Sequence, residues 1–468
     1  MPTDTSHQQV HSLKEARTFL KQKLERLQEI LPSEGRAEAT LRLTIRVEPQ
    51  DILAWLSCQR SSRKLFWSQR NEPFQLAGVG VSHEIEWRSA VNHESVITKL
   101  RAGIDPQEPY SRYYGGICFD ENNLTAEWFN FGPCRFFMPR FELFSNGEGC
   151  FLACNLYKSS DWETTLAAAH RELHELSDDV HPVPVKFPAP VSREDQPAKE
   201  QWTYNVESIL DAVRKKRFGK VVVARRSVFA FEQPVNAFGL LDRLRQNATD
   251  CYVFAFQFKA DEVFVGASPE QLYRREGTNV SSEAVAGTRR RGGGSTEDER
   301  LKTELCGSGK DLSEHSFVVE MLEHTLQKLC VQVKQDSRPE ILTLNGGHHL
   351  ITRFTGKLGK DVNDGTILSL LHPTPAVAGS PTAQAMTEIA KLEPFSRGWY
   401  AGPVGYLGLD RSEFAVAIRS GLIKDRTVQL YAGAGIVNGS LPHDEWNEVE
   451  DKLNGFLTLF PNESANIS

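Results

Sequence analysis

A proline-rich stretch near the middle of the chain divides the sequence into two parts. Residues 180–198 read VHPVPVKFPAPVSREDQPA and contain five prolines without helical or strand periodicity. Proline has no backbone N–H and a fixed φ, so neither a long helix nor a central strand passes easily through such a stretch. We therefore predict a linker or surface crossing there. It separates a segment over 36–180 from a larger region over 195–465, and a helical segment over 1–35 precedes both.

Helical and strand-like patterns are mixed along the chain. Residues 9–31 have polar amphipathic spacing and residues 162–176 have helical spacing, which predicts a helix at each position. Residues 40–156 contain short strand-like runs such as TLRLTIRVE and RFFMPRFELF. Beyond the linker the sequence lacks the regular βαβ alternation of a doubly wound sheet, and no internal repeat is visible. These patterns predict an α+β protein.

The composition is that of an ordinary globular protein and excludes some classes of function. The chain has 468 residues, of which 40% are hydrophobic and 25% charged, and its net charge is −7. An acidic chain lacks the positive field that phosphate backbones require, so we expect no nucleic-acid partner. No run approaches the roughly 18 apolar residues of a membrane span, and no secretory signal is visible. We therefore expect a cytoplasmic protein without a membrane partner.

The segment KDLSEHSFVVEMLEHTL predicts a helix that begins at Lys310. Asp311 is its predicted N-cap and Glu314 follows three residues later, which is the spacing of a capping box. In that interpretation Glu314 only satisfies backbone groups at the helix end. The alternative is a functional carboxylate, and the pattern alone leaves both open.

Two further acidic segments have the same two interpretations. Residues 442–453 (PHDEWNEVEDKL) predict a helix on which Glu445 and Glu448 share a face. Lys452 lies four residues after Glu448, so an ion pair along the helix is expected. Residues 268–273 (SPEQLY) have a serine at a cap position, a proline at the first helical position and Glu270 in the first turn, which predicts a helix start.

Carboxylates from separate helices would suit magnesium better than zinc, because magnesium prefers oxygen ligands. Magnesium is usually held by one or two carboxylates and completed by water and substrate oxygens. The sequence has no comparable signal for zinc, since its eight cysteines form no C-x-x-C pair and no histidine pair has ligand spacing. Cys150 and Cys154 lie in the strand-like run FLACNLY and are interpreted as buried structure.

Eight segments after the proline-rich stretch match one enzyme family in the expected order. They are FGKVVVARR (218–226), FVGASPEQLYRR (264–275), EAVAGTRRR (283–291), KDLSEHSFVVEML (310–322), LHPTPAVAGSP (371–381), RGWYAGPVGYLG (397–408), SEFAVAIRS (412–420) and YAGAGIVNGSLPHDEWNEVEDK (431–452). The chain resembles the chorismate-utilising enzymes, and within them the isochorismate synthases of menaquinone or siderophore pathways. The resemblance implies one α+β fold in which two packed β-sheets surround a central site, with helices outside.

The resemblance also implies roles for individual residues. Glu314 and Glu448 match the residues that hold Mg²⁺, which in turn holds the C1 carboxylate of chorismate, and Glu445 supports them. Lys220 matches the general base and Glu270 the general acid. The substrate-binding positions are Arg419, Gly433 and Lys452 at the carboxylates, Gly287 and Thr288 beside the ring, His349 near the ring hydroxyl, and Ala376.

The implied reaction is an isomerisation that adds water at C2 of chorismate and expels the hydroxyl group from C4. Hydroxide leaves poorly without a proton donor and water is a weak nucleophile, so the site needs both an acid and a base. The acid must be protonated and the base neutral at working pH, whereas free Glu and Lys have pKa values of about 4.3 and 10.4. A direct ion pair between the two would favour the wrong protonation states. We therefore expect Lys220 and Glu270 to lie on opposite sides of the ring without contact.

Other chemistries occur on the same scaffold. Anthranilate synthase has Gln at the position of Lys220, and aminodeoxychorismate synthase differs in the HPTPAVAG motif, so both are disfavoured. No glutaminase subunit is expected. Salicylate synthase shares the lysine and the glutamate but typically has Thr at the position of Ala376, and it is the alternative function. A non-catalytic chorismate-binding protein would have no use for Lys220 and Glu270.

Overall fold

The computed structural model describes residues 9–30, 40–88, 91–106, 108, 110–158 and 161–461. Within these ranges the chain forms eleven α-helices and 22 strands. The helices are α1 (Leu13–Ile30), α2 (Ile52–Cys58), α3 (His93–Ala102), α4 (Trp162–Glu175), α5 (Lys199–Arg214), α6 (Ala237–Asn247), α7 (Ser295–Gly307), α8 (Gly309–Leu329), α9 (Asp364–Leu371), α10 (Thr382–Leu392) and α11 (Pro442–Leu457).

The strands form two sheets in the described part of the chain. The first has twelve strands in the order β1 (Thr40–Val47), β8 (Gly149–Tyr157), β7 (Phe141–Asn146), β3 (Gln75–Val79), β2 (Lys64–Ser68), β11 (Tyr252–Lys259), β12 (Glu262–Ser268), β21 (Ser420–Lys424), β22 (Thr427–Ile436), β10 (Lys220–Phe231) and β18 (Gly379–Ser380), with β9 (Pro190–Gln196) paired to β10. The second has ten strands in the order β15 (Cys330–Gln335), β17 (Gly347–Leu358), β14 (Asn279–Arg289), β13 (Gln271–Glu276), β20 (Arg411–Val416), β19 (Pro403–Leu407), β5 (Tyr113–Ile117), β6 (Cys134–Met138) and β4 (His83–Trp87), with β16 (Glu340–Leu344) paired to β17.

Both sheets contain strands from before and after the proline-rich stretch. In the first sheet β2 pairs with β11, and in the second β5 pairs with β19. Strands at these joints, such as KLFWS in β2 and PVGYL in β19, are buried along their whole length. Continuous burial is expected where both faces of a strand are covered, and it explains why these runs do not alternate between polar and apolar residues.

The two sheets pack against each other through aromatic side chains. Trp67 of β2 lies 6.3 Å from Tyr406 of β19 between ring centroids, and Phe258 of β11 lies 5.6 Å from Phe137 of β6. Helices α8 and α11 then pack on β14 and β22, one on each sheet. The predicted α+β architecture with two packed sheets and outer helices is therefore confirmed.

The linker prediction is wrong for the second part of residues 180–198. Residues 190–196 form strand β9, which pairs antiparallel with β10 over Arg226↔Gln196 to Phe231↔Pro190. The prolines do not prevent this, because Pro190 is the first residue of the strand and Pro197 follows its last. Neither position has to donate a ladder hydrogen bond.

The predicted helices over 9–31, 162–176 and 442–453 correspond to α1, α4 and α11. The predicted helix start at 268–273 is wrong, because Ser268 ends β12 and Gln271 begins β13. The Ser268 hydroxyl does accept a hydrogen bond from the Glu270 N–H, at 3.2 Å, as an N-cap serine would. Here the bond closes a tight turn between two buried strands, so a cap pattern alone did not distinguish the two structures.

The predicted N-cap of α8 is also wrong. Ser308 is the N-cap, and its hydroxyl accepts from the backbone N–H of Asp311. The helix therefore begins at Gly309 and Glu314 lies in its second turn, beyond the capping-box position. This placement leaves the Glu314 carboxylate free to take part in tertiary contacts.

Cys150 and Cys154 are both buried in β8, as predicted. None of the helices in the described ranges has the length and apolar character needed to cross a lipid bilayer.

Candidate active site

A cavity lies where β10 and β22 of the first sheet approach β14 and β17 of the second. Helices α8 and α11, the turns before β13 and β21, and the segments that precede β18 and β19 contribute the remaining walls. Ten of the predicted site residues line this cavity, namely Glu270, Gly287, Thr288, Glu314, His349, Ala376, Arg419, Gly433, Glu448 and Lys452. The structure thus brings together residues that are up to 182 positions apart in the sequence, from Glu270 to Lys452.

Lys220 is the first residue of β10 and is completely buried beside this cavity. Its Nζ atom lies 3.1 Å from Oε1 of Glu314, in an ion pair without hydrogen-bond geometry. Gly435 of β22 faces both side chains. A Cβ atom there would lie 2.1 Å from Oε1 of Glu314 and 2.8 Å from Cε of Lys220. Gly435 is therefore required for this approach, and the sequence analysis did not identify it, although it lies in the small-residue run YAGAG.

Glu270 lies at another wall of the cavity, in the turn between β12 and β13, and is only 3% exposed. Burial raises the pKa of Glu270 to about 8, and this effect outweighs the positive charge of Lys220, which acts in the opposite direction. Within the described part of the chain, Lys220 pairs with Glu314 and forms no ion pair with Glu270. Burial therefore favours the protonated form of the Glu270 carboxyl group at neutral pH.

Three carboxylates of the site each pair with a lysine. The pairs are Lys220–Glu314, Lys452–Glu448 at 2.8 Å and Lys310–Glu445. The predicted ion pair along α11 is confirmed by the second of these. Lys310 was considered only as a helix start, although it lies four residues before Glu314 and so on the same side of α8.

The pKa values of Glu445 and Glu448, the two candidate metal-binding carboxylates of α11, are shifted in opposite directions. Burial acts to raise the pKa of Glu448, but the neighbouring Lys452 outweighs it and the pKa lies below its usual value. Burial and the negative charge of Glu448 raise the pKa of Glu445 to about 7. Glu445 does not line the cavity, and its Oε2 atom is buried without a hydrogen-bond partner.

Arg419 and His349 form another polar part of the cavity wall. Nη2 of Arg419 donates to Nε2 of His349 at 3.1 Å, and Nδ1 of His349 lies 3.0 Å from the hydroxyl of Thr288. Burial, reinforced by the positive charge of Arg419, lowers the pKa of His349 well below its usual value, so the ring is neutral. The neutral ring thereby holds the guanidinium in position at the cavity, and no carboxylate neutralises its positive charge in this contact. Arg419 itself has φ +49°, a conformation that is uncommon for a non-glycine residue.

Two glycines and a tyrosine shape the space between these walls. Gly287 has φ +75°, and a Cβ atom there would lie 3.1 Å from Cβ of Asp311. The Gly433 carbonyl accepts a hydrogen bond from Lys452 Nζ at 2.8 Å. Tyr400 also lines the cavity, although no sequence pattern indicated it.

The donor set of the site fits magnesium. Glu314 and Glu448 come from separate helices and line the same cavity. Oε2 of Glu445, which has no hydrogen-bond partner, belongs to a residue on the same helix as Glu448. In the described residues no three acidic, histidine or cysteine side chains are close enough to form a metal site by themselves. Two carboxylates completed by substrate oxygens and water are the usual surroundings of protein-bound magnesium.

The cavity thus brings a buried glutamate with a raised pKa and two basic side chains, Arg419 and Lys452, close to the buried Lys220. The model of a family described as chorismate binding enzyme matches residues 23–460. The chain therefore belongs to this family.

Curated relatives and solved structures agree with this assignment. The chain is 34% identical to isochorismate synthase MenF of Bacillus subtilis (strain 168) over 354 residues, which cover 75% of this chain and 74% of that protein. It is 31% identical to MenF of Escherichia coli (strain K12) over 419 residues, covering 87% and 90%. The solved structure of the menaquinone-specific MenF from Escherichia coli superposes with a TM-score of 0.85 at 29% identity, covering 96% of this chain and 100% of that one. The resemblance to isochorismate synthases is thereby confirmed.

Proposed function

We propose that this cavity converts chorismate into isochorismate, and that the chain is an isochorismate synthase, an isomerase. The observation that supports this most strongly is a buried glutamate with a raised pKa in the cavity wall and a separate, completely buried lysine beside the cavity. The acid is Glu270, whose pKa of about 8 allows it to donate a proton at neutral pH. The lysine is Lys220, which is completely buried and forms its ion pair with Glu314 rather than with the acid. Because an ion pair favours the charged form of a lysine, we propose that this contact would open when Glu314 holds the metal, which would leave Lys220 able to act as the base.

Each of these residues has one step in the proposed mechanism. Lys220 takes a proton from the water molecule whose oxygen forms a bond to C2. The double bonds of the ring shift as the C4–O bond breaks, and Glu270 gives its proton to the departing hydroxyl group, which leaves as water. The atoms therefore balance, because one water enters and one water leaves. General acid and base groups typically contribute about 10²–10⁴-fold each.

The remaining residues bind and orient the dicarboxylate. Arg419 and Lys452 lie at the cavity and provide positive charge for the two carboxylates of chorismate. The Gly433 carbonyl holds Lys452 in place, and Gly287, Thr288 and His349 lie beside the ring in this proposal. Glu314 and Glu448 would hold Mg²⁺, with Glu445 supporting them. When bound, the metal would withdraw charge through the substrate's C1 carboxylate and make the conjugated ring a better electron acceptor.

Ala376 supports isochorismate over salicylate as the product. Formation of salicylate requires the enolpyruvyl side chain to fold over C2 and leave as pyruvate. The methyl side chain of Ala376 lines the cavity and offers no hydrogen bond to hold that folded conformer. Because the nucleophile is water rather than ammonia, we also propose that no glutaminase subunit is needed. We further propose that the enzyme works in the cytoplasm.

The deciding experiment is to identify the product formed from chorismate and Mg²⁺. We expect an isomer of chorismate with a changed absorbance spectrum and no release of pyruvate. Release of pyruvate in step with salicylate would instead identify a salicylate synthase. A product that forms only when ammonia is supplied would place the chain among the aminating members of the family.

A further inference from the structure

An arginine from the N-terminal part of the chain contacts the turn that carries Glu270. Arg70 follows β2, and its side chain is only 8% exposed. Its Nη1 atom donates to the carbonyl oxygen of Pro269, the residue before Glu270, and its Nη2 atom donates to the carboxylate of Glu283. The guanidinium also lies over the ring of Tyr252, 5.6 Å from its centroid. A planar group with three partners has a defined orientation.

Both polar backbone groups of Glu270 are hydrogen-bonded. Its N–H donates to the Ser268 hydroxyl, and its carbonyl accepts from the N–H of Val416 at 3.1 Å. With Arg70 on the carbonyl of Pro269, each polar backbone group around the acid has a partner. The direction in which the Glu270 side chain enters the cavity is therefore decided by the two strands and by Arg70 together.

Glu283 supplies a negative charge near the same acid. It lies on β14, is buried, and uses one carboxylate oxygen for Arg70, while its Oε2 has no hydrogen-bond partner. A negative charge in the interior disfavours ionisation of a second carboxyl group nearby. The positive charge of Arg70 has the opposite effect on Glu270, so the two members of this ion pair act against each other.

We propose that Arg70 and Glu283 are positioning residues for the acid, in which Arg70 orients the turn and the ion pair sets the pH range over which Glu270 can donate its proton. This inference rests on the proposed role of Glu270 as the general acid. It assigns the N-terminal part of the chain a function in the reaction, although that part lies outside the eight matching segments.

The charged and titratable groups that act on Glu270 come from several elements. Lys220 of β10, Glu283 of β14, Lys452 of α11 and Arg70 after β2 all influence its pKa, and burial is the largest effect. Tyr400 also faces it.

The test is the pH dependence of kcat in variants of the two partners. In Glu283→Gln the alkaline limb should move to lower pH by roughly half a unit or more, because a negative charge that keeps Glu270 protonated is lost. In Arg70→Gln it should move to higher pH, because a compensating positive charge is lost while Glu283 remains. Arg70→Gln should also lower the plateau of kcat by about tenfold, because the Pro269 carbonyl loses its charged donor.

Further variants separate this role from a structural one. Arg70→Lys should retain part of the kcat that Arg70→Gln loses. The double variant Arg70→Gln/Glu283→Gln removes both charges of the ion pair, so the two opposite shifts should offset each other and the alkaline limb should lie near its wild-type position. Arg353 and Glu340 form a surface ion pair at 2.6 Å away from the cavity, so Arg353→Gln and Glu340→Gln are matched controls that should leave the limb unchanged.

The outcomes are distinguishable from a failure of the proposed function. If the single variants shift the limb in the same direction, or lower activity without moving it, the positioning role is wrong. If the residual activity of Glu270→Gln retains the alkaline limb, the assignment of Glu270 as the acid is wrong instead. Where activity is too low to measure, the infrared carbonyl band of the protonated carboxyl that disappears in Glu270→Gln reports the same titration directly.

Discussion

The two ends of the active-site cavity use the same residue type in opposite electrostatic settings. At one end, Glu314, Glu448 and Glu445 each lie against a lysine. At the other end, Glu270 is buried like Glu314 and Glu445 and more deeply than Glu448, whose side chain is 21% exposed, but the carboxyl group of Glu270 has no ion-pair partner among the described residues. The pKa of Glu448 is lowered by its lysine, whereas burial raises the pKa of Glu270 to about 8.

This difference indicates that burial and the charged neighbours together decide the protonation of a glutamate. Glu445 also pairs with a lysine, but burial and the charge of Glu448 raise its pKa to about 7. An ionised carboxylate beside a lysine can exchange that lysine for another cation, so the paired end is suited to hold magnesium. An unpaired carboxyl group in the interior keeps its proton, so the other end is suited to general acid catalysis. Substitutions at each end should therefore fail in different ways.

The largest effect is expected at the paired end. Glu314→Gln removes a proposed metal ligand and also the partner of Lys220, and it should lower kcat by about 10³-fold or more with the fold retained. Excess chelator should abolish turnover of the wild type. Glu320 is exposed on the same helix, so Glu320→Gln is a matched control that should stay fully active. Full turnover in chelator would contradict the metal assignment.

Substitution of the acid or the base should come next. Lys220→Ala and Glu270→Ala should each lower kcat by about 10²–10⁴-fold, while binding of chorismate persists because neither residue is a proposed grip on its carboxylates. Steady-state kinetics and isothermal titration with chorismate measure the two quantities separately. A variant that keeps more than about a tenth of the wild-type kcat excludes that residue from its role.

A smaller effect is expected where the cavity selects its product. In Ala376→Thr, a hydroxyl group could hydrogen-bond the folded enolpyruvyl group, and a bond to a charged group that acts only on elimination corresponds to about 10- to 150-fold in rate. Incubation with purified isochorismate should release measurable pyruvate and salicylate from the variant and little from the wild type. Equal release from both would remove Ala376 from the explanation of specificity. Abundant release by the wild type would favour the salicylate synthase alternative.

The smallest change to the enzyme is a change of pH, which needs no substitution. Glu270 donates its proton only while protonated, so it should give kcat an alkaline limb in which kcat falls as the pH rises through the pKa of about 8. Well above it, the decline should approach about tenfold per unit. A pH–kcat profile in saturating chorismate and magnesium measures this. If the profile showed no alkaline limb near pH 8, the raised pKa of Glu270 would be contradicted. Glu270 would then be ionised at neutral pH, as is expected for the lysine-paired Glu448.

Much of the site could be predicted from the sequence because the family motifs are local. Ten of the predicted residues line one cavity, and the i,i+4 spacing of Glu448 and Lys452 predicted their ion pair. The errors occurred where local patterns have two solutions. A serine hydroxyl that accepts a hydrogen bond from the backbone N–H two residues later can cap a helix or close a turn between strands. Ser268 closes a turn.

From the sequence by itself, the resemblance of eight local segments to one family indicated the candidate site residues, and helical periodicity placed Glu314, Glu445 and Glu448 on helices, because both signals depend on neighbouring residues. The sequence thereby determined that α8 and α11 would present carboxylates. Only the tertiary structure decided which lysine each carboxylate meets and that Gly435 must lack a side chain between Lys220 and Glu314. Burial and long-range contacts decide the protonation of Glu270. They depend on strands far apart in the chain, including the one that precedes Arg70, and no local pattern records them.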